Sequence, residues 1–107
     1  MVVQRNAVSL DGRVAVVTGG GEGIGRGIAA GLAAFGARVA IWERNPATGA
    51  LAAAEMNGVS CVTDVRDAEQ VDAALATTIE ALGVPTILVN NAGGTFTSPL
   101  LDTAPKG

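Results

Sequence analysis

The chain has 107 residues, 49% of them apolar, and a formal net charge of −3, which describes one small packed domain and excludes global disorder. No basic run favours nucleic acid or an anionic membrane surface, and no apolar stretch is long enough to span a bilayer. Histidine and tyrosine are absent and the only lysine is Lys106, so the usual side chains for acid–base work at neutral pH are nearly all missing.

Residues 1–9 read as an N-terminal tail. No long apolar segment follows its basic start, so no secretory signal is read and the expected location is the cytoplasm. Asp11-Gly12 marks a turn. A first strand follows from about Arg13 to Thr18, rich in valine. It runs into Gly19, Gly20, Gly21, Gly23 and Gly25, and an apolar helical pattern begins at Ile24. Strand, glycine turn and helix bring backbone N–H groups and the positive end of a helix up to a phosphate.

The first helix is predicted from about Gly23 to Phe35. Ile24, Ile28, Leu32 and Phe35, at spacings of 4, 4 and 3, form its apolar face. Gly27 and Gly31 cost helix propensity, so they are expected to let the helix sit close to the sheet. Gly36 is placed to end it in the left-handed conformation. The second strand, Arg38 to Trp42, has the unbroken apolar middle of a buried parallel strand. Asn45 caps a second helix, about Pro46 to Met56, with Gly58 as its stop. The third strand, about Ser60 to Thr63, carries Cys61, which reads as a buried apolar residue. Asp67 and Gln70 resemble a capping box for a third helix, with Val71, Ala74, Leu75, Ile79 and Leu82 as its apolar face. Gly83 and Pro85 precede a fourth strand, Thr86 to Val89.

This alternation predicts an α/β domain over residues 10–107. It is a doubly wound parallel sheet in the order 3-2-1-4, with a ligand crevice between strands one and four beyond their carboxyl ends. Three features fit a dinucleotide there. Glu43 ends strand two, 18 residues after Gly25, where a carboxylate bonds ribose hydroxyls; the same residue also suits an ordinary solvated charge. Asp64-Val65 ends strand three, where a carboxylate accepts from the adenine amino group or caps the next helix. Asn90 to Gly94 ends strand four, where asparagine amides tie loops together and glycines admit a ligand.

The segments Thr18-Gly-Gly-Gly-Glu-Gly-Ile-Gly25, Asp64-Val65 and Asn90-Asn91-Ala92-Gly93 resemble the core branch of the short-chain dehydrogenase/reductase family. The resemblance runs from about Leu10 to the end of the chain and implies a Rossmann-type sheet, truncated relative to the family. It implies that Gly19, Gly21, Glu22, Gly23, Ile24 and Gly25 hold the pyrophosphate and adenosine ribose. Glu43 and Arg44 would flank the ribose 2′ position, Asp64 and Val65 would contact adenine, and Asn91, Ala92 and Gly93 would line the cofactor.

The family also implies hydride transfer between nicotinamide and an alcohol or carbonyl carbon, through a Tyr-x-x-x-Lys pair, a serine and a helical asparagine. None is present: the chain has no tyrosine, and Lys106 and Ser98 stand too close to Asn90. The expectation is therefore a cofactor-binding part with no catalytic residue and no metal, inactive alone and homo-oligomeric in full-length form. Glu22 and Glu43 favour NAD over NADP. Arg44 pulls the other way, and Glu22 departs from the small residue usual in the family at that place. The alternative is a non-catalytic dinucleotide-binding module. A flavin- or methyl-donor-binding domain is disfavoured by Asn-Asn-Ala-Gly. The substrate is not legible; Phe96, Thr97 and Leu100 suit a pocket wall or the core equally.

Overall fold

The computed structural model describes residues 9–91. Seven elements alternate: β1 (Val14–Thr18), α1 (Gly23–Ala34), β2 (Arg38–Glu43), α2 (Pro46–Glu55), β3 (Val59–Val62), α3 (Ala68–Ala81) and β4 (Ile87–Asn90). All strand pairs are parallel and the order is β3-β2-β1-β4, the doubly wound Rossmann-type arrangement expected. Strand ends fall within one or two residues of those predicted.

The period of two along each strand sends alternate residues to opposite faces. On one face Ala15, Val17, Val39 and Ile41 pack with Ala29 of α1 and Ala52 and Ala53 of α2. On the other, Val16, Ala40, Trp42 and Cys61 pack with Ala74 of α3. Cys61 is a buried free thiol, as expected, and burial pushes its pKa up. The helices meet the sheet largely through alanine, which lets their axes approach closely.

The sequence misjudged which side of α1 faces the sheet. Gly25 and Ala29 are its buried residues, whereas Ile24 is 77% exposed and Ile28 and Phe35 are partly exposed. Of the predicted face Leu32 does pack against the core, while Ile24 and Ile28 mark a stripe rotated by one position from Gly25 and Ala29. Gly27 and Gly31 lie on open ground, with nothing within 4 Å of a Cβ built on either, so they are not the close-approach residues. In α3 the inward side is Val71, Ala74 and Thr78, while Leu75 and Ile79 stand partly exposed.

The helix ends follow local chemistry. Asn45 Oδ1 accepts from Ala47 N–H at 3.0 Å and Thr48 N–H at 3.3 Å, as expected of the cap of α2. Gly36, at φ 105°, donates to Ala33 O while Ala37 donates to Leu32 O, a left-handed closure of α1. The left-handed residue after α2 is Asn57 (φ 53°), not Gly58. Gly58 instead passes so close to Val39 O that a Cβ would collide with it.

Candidate functional site

The carboxyl ends of β1, β2 and β4 meet because the register pairs Thr18 with both Trp42 and Asn90. The glycine turn leaves β1 at Gly19, whose φ of 65° is a left-handed value that favours glycine. Gly19 N–H donates to Trp42 O at 2.8 Å, tying the turn to β2. Gly19 O accepts from Asn91 Nδ2 at 3.3 Å, tying it to the end of β4. The Thr18 hydroxyl accepts from Asn91 N–H at 2.9 Å and lies 3.2 Å from Asn90 Oδ1. Asn91 therefore does the loop-joining expected of an asparagine amide, while Asn90 Oδ1 meets its register partner on the neighbouring strand.

Gly25 begins the sheet-facing side of α1. A Cβ there would collide with Gly19 O and stand 2.6 Å from Asn91 Nδ2, so only glycine lets the helix start this close to the turn. At Gly21 a Cβ would stand 2.8 Å from Glu43 Oε1 and 2.9 Å from Thr48 Oγ1. A Cβ on Gly23, at φ 62°, would meet nothing within 4 Å. Glu22 is exposed at the N-cap of α1 and makes no side-chain capping bond. Ile24 projects into open space beside it.

Glu43 is not the free carboxylate of a simple strand end. Oε1 accepts from Gly21 N–H at 3.1 Å and Oε2 from Asn45 N–H at 3.2 Å, so one side chain joins the glycine turn to the start of α2. Arg44, next along, is exposed.

The end of β3 carries a second network. Asp64 Oδ1 accepts from Arg66 N–H at 3.0 Å and Arg66 Nε at 3.1 Å, and Oδ2 accepts from Nη2 at 3.0 Å. The Arg66 side chain, then its backbone N–H, holds the Asp64 pKa down at about 2, with Arg44 adding a smaller charge effect. Asp64 N–H donates to Gln70 Oε1 at 2.8 Å, while Gln70 Nε2 donates to Asp67 Oδ2 at 3.1 Å. Asp67 also caps α3 through Glu69 and Gln70 N–H groups. Gln70 thus departs from the capping-box pattern by reaching Asp64 rather than the cap's own N–H. Val65 is half-buried beside this turn.

The sequence assigned no role to Thr18, Thr48 or Arg66, and gave Gln70 only a capping role. The threonine before a glycine turn was a usable signal for the first; the others become visible only once the turns fold back. Ala92 and Gly93, like Phe96, Thr97, Ser98, Leu100 and Lys106, lie outside the described residues. Among the described residues no cluster of metal-ligating side chains occurs, and no helix is long and apolar enough to cross a membrane.

In comparison with known proteins, residues 13–106 match the family model of the short chain dehydrogenases. A short chain dehydrogenase/reductase of Aspergillus oryzae is 47% identical over 90 residues, covering 78% of this chain and 34% of that protein. The 3-ketoacyl-(acyl-carrier-protein) reductase of Brucella melitensis, solved with NADH, superposes with a TM-score of 0.77 at 39% identity, over 79% of this chain and 36% of that one. The L-sorbose reductase of Gluconobacter frateurii, solved with NADPH and L-sorbose, gives a TM-score of 0.77 at 32% identity, over 90% of this chain and 39% of that one. The chain spans about a third of the length of two of the curated relatives it matches, 34% and 36%, and 8% of a third. A parallel sheet in this order, a glycine turn pinned to its neighbours and a family match over nearly the whole chain make this protein a member of the short chain dehydrogenase family.

Proposed function

We propose that this chain binds a nicotinamide dinucleotide through its adenosine and pyrophosphate half, as the cofactor-binding part of an oxidoreductase. The observation that carries this is the convergence of the glycine turn, Glu43 and Asn91 on one crevice, each hydrogen-bonded to the turn. The residues fit the group. A Cβ on Gly23 would meet nothing within 4 Å, which leaves room beside the turn, and the N–H groups of the first turn of α1 lack intrahelical partners. Gly19, Gly21, Glu22, Gly23, Ile24 and Gly25 would border the pyrophosphate. Glu43 and Arg44 would flank the adenosine ribose, Asp64 and Val65 would meet adenine, and Asn91 would stand beside the rest of the cofactor.

When bound, the nicotinamide supplies hydride exchange with an alcohol or carbonyl carbon. The residues of this chain bind and orient the dinucleotide and contribute no proton-transferring group. Residues 10–107 act in this reading as half of a larger dinucleotide-binding domain. A substrate pocket, a cytoplasmic location and homo-oligomeric assembly belong to the same proposal.

NAD is the preferred form in this proposal. Both Glu43 oxygens accept backbone N–H bonds, yet the carboxylate has further lone pairs for a ribose hydroxyl, and it repels a 2′-phosphate. Calorimetric titration with NAD and NADP tests this. Saturable binding with NAD the tighter ligand is expected; tighter NADP overturns the preference, and no binding of either overturns the function.

A second reading is a dinucleotide-binding module without turnover, favoured by a sequence with no tyrosine and a single lysine. NADH oxidation by this chain with any of a panel of carbonyl compounds would overturn this second reading.

A further inference from the structure

The Asp64 carboxylate is surrounded by one residue. Arg66 gives it a backbone N–H and Nε on Oδ1 and Nη2 on Oδ2, at 3.0, 3.1 and 3.0 Å. A carboxylate offers about four lone-pair positions, so Oδ1 is filled and Oδ2 keeps one. The planar guanidinium fixes the plane of the carboxylate as well as its charge, which a lysine would not do. Asp64 is partly exposed and the Arg66 side chain is 63% exposed, so both are within reach of a ligand. The other groups around them are committed or distant in role. Asp67 and Gln70 on α3 are bonded to the backbone and to each other, and Arg44 from the β2–α2 turn adds only a weak positive field.

We propose that Arg66 is a positioning residue for base recognition: it turns the one unfilled lone pair of Asp64 Oδ2 outward as a fixed acceptor for the exocyclic amine of adenine. This rests on the dinucleotide reading above. An acceptor-only carboxylate accepts from the amine of adenine and repels the oxo group that hypoxanthine carries at the same place. Without Arg66 the carboxylate plane is free to rotate, and that blurs the distinction.

The test compares NAD with nicotinamide hypoxanthine dinucleotide by calorimetry on the chain, Arg66→Ala and Arg66→Lys. The unsubstituted chain is expected to favour the adenine form about tenfold, the scale of one charge-assisted hydrogen bond. Arg66→Ala is expected to lose most of that ratio while its melting curve stays cooperative, and Arg66→Lys not to regain it. Carbon-13 NMR of the Asp64 carboxyl without nucleotide adds a readout independent of the cofactor: its midpoint is expected to rise in Arg66→Ala to the ordinary ~3.9. An unchanged ratio in a chain that binds NAD, or an unchanged carboxyl midpoint, overturns the role of Arg66 and leaves the dinucleotide reading standing. Binding of neither dinucleotide by the unsubstituted chain overturns both.

Discussion

Glu43 Oε1 accepts a hydrogen bond from the backbone N–H of Gly21 at 3.1 Å, so the residue that ends β2 also shapes the turn that leaves β1. Removing the carboxylate therefore removes two things, a ligand group and a clamp on the turn. Glu43→Ala is expected to weaken NAD binding about tenfold and to lower stability by about 1 kcal/mol, the scale of a partly exposed charged hydrogen bond. Glu43→Gln keeps one acceptor for Gly21 and is expected to retain most of the stability but not the bias against NADP. Titration with both dinucleotides, alongside a denaturant melt, separates the two contributions; equal effects of Ala and Gln on stability would refute the clamp.

Two glycines of α1 are expected to respond in opposite directions. Gly25→Ala sets a Cβ against Gly19 O, which is backbone and cannot step aside cheaply, and should destabilise by about 1–3 kcal/mol as an overpacked site. Gly27→Ala enters open space within the helix and should stabilise this chain by about 0.5–1 kcal/mol. Urea melts of the two variants check the sign; two changes of the same sign would count against the packing described.

Trp42 Nε1–H donates to Thr78 Oγ1 at 3.1 Å inside the α3-facing core, and Thr78 in turn donates to Ala74 O at 2.8 Å. Thr78→Val keeps the shape and strands the indole N–H. The expected cost is about 1–3 kcal/mol. Trp42 is the only tryptophan, so its fluorescence reports this one seam; a variant as stable as the parent, with an unshifted emission spectrum, would show that the bond is immaterial.

The depressed pKa of Asp64, about 2 in the folded chain, gives a pH window. Its unfolded value is about 3.9, so the folded state binds fewer protons between the two values. The Arg66 contribution is thus fully present above about pH 4 and is lost as pH falls toward about 2. Arg66→Ala should show a smaller loss of stability across that acid range than the parent, and the same dependence as the parent above it. Thermal melts at a series of pH values read this directly.

Much of the fold was legible because parallel strands announce themselves. Val14 to Val17 and Val39 to Ile41 are uninterrupted apolar runs, and the cap at Asn45 and the stop at Gly36 obey local stereochemistry. The face of α1 was not legible. A period of four in Ile24 and Ile28 shows where bulk lies, whereas a helix pressed on a sheet buries its small residues, here Gly25 and Ala29. In the site, Gly19 to Gly25, Glu43, Asp64 and Asn91 were nameable from chain position and residue type. Arg66 was not, nor was the bond from Asp64 N–H to Gln70, because both depend on the β3–α3 turn having closed.

The register of β1 with its two neighbours has a consequence for length. Gly19 is tied to Trp42 O and to Asn91 Nδ2, so the turns at the carboxyl ends of the strands are measured against one another. An added residue between Thr18 and Gly25 would pull the first turn of α1 out of line with both. The connections at the opposite end carry ties of their own, Leu10 N–H to Phe35 O and the Arg38 guanidinium to Ala81 O and Leu82 O, so an added residue there would be felt as well.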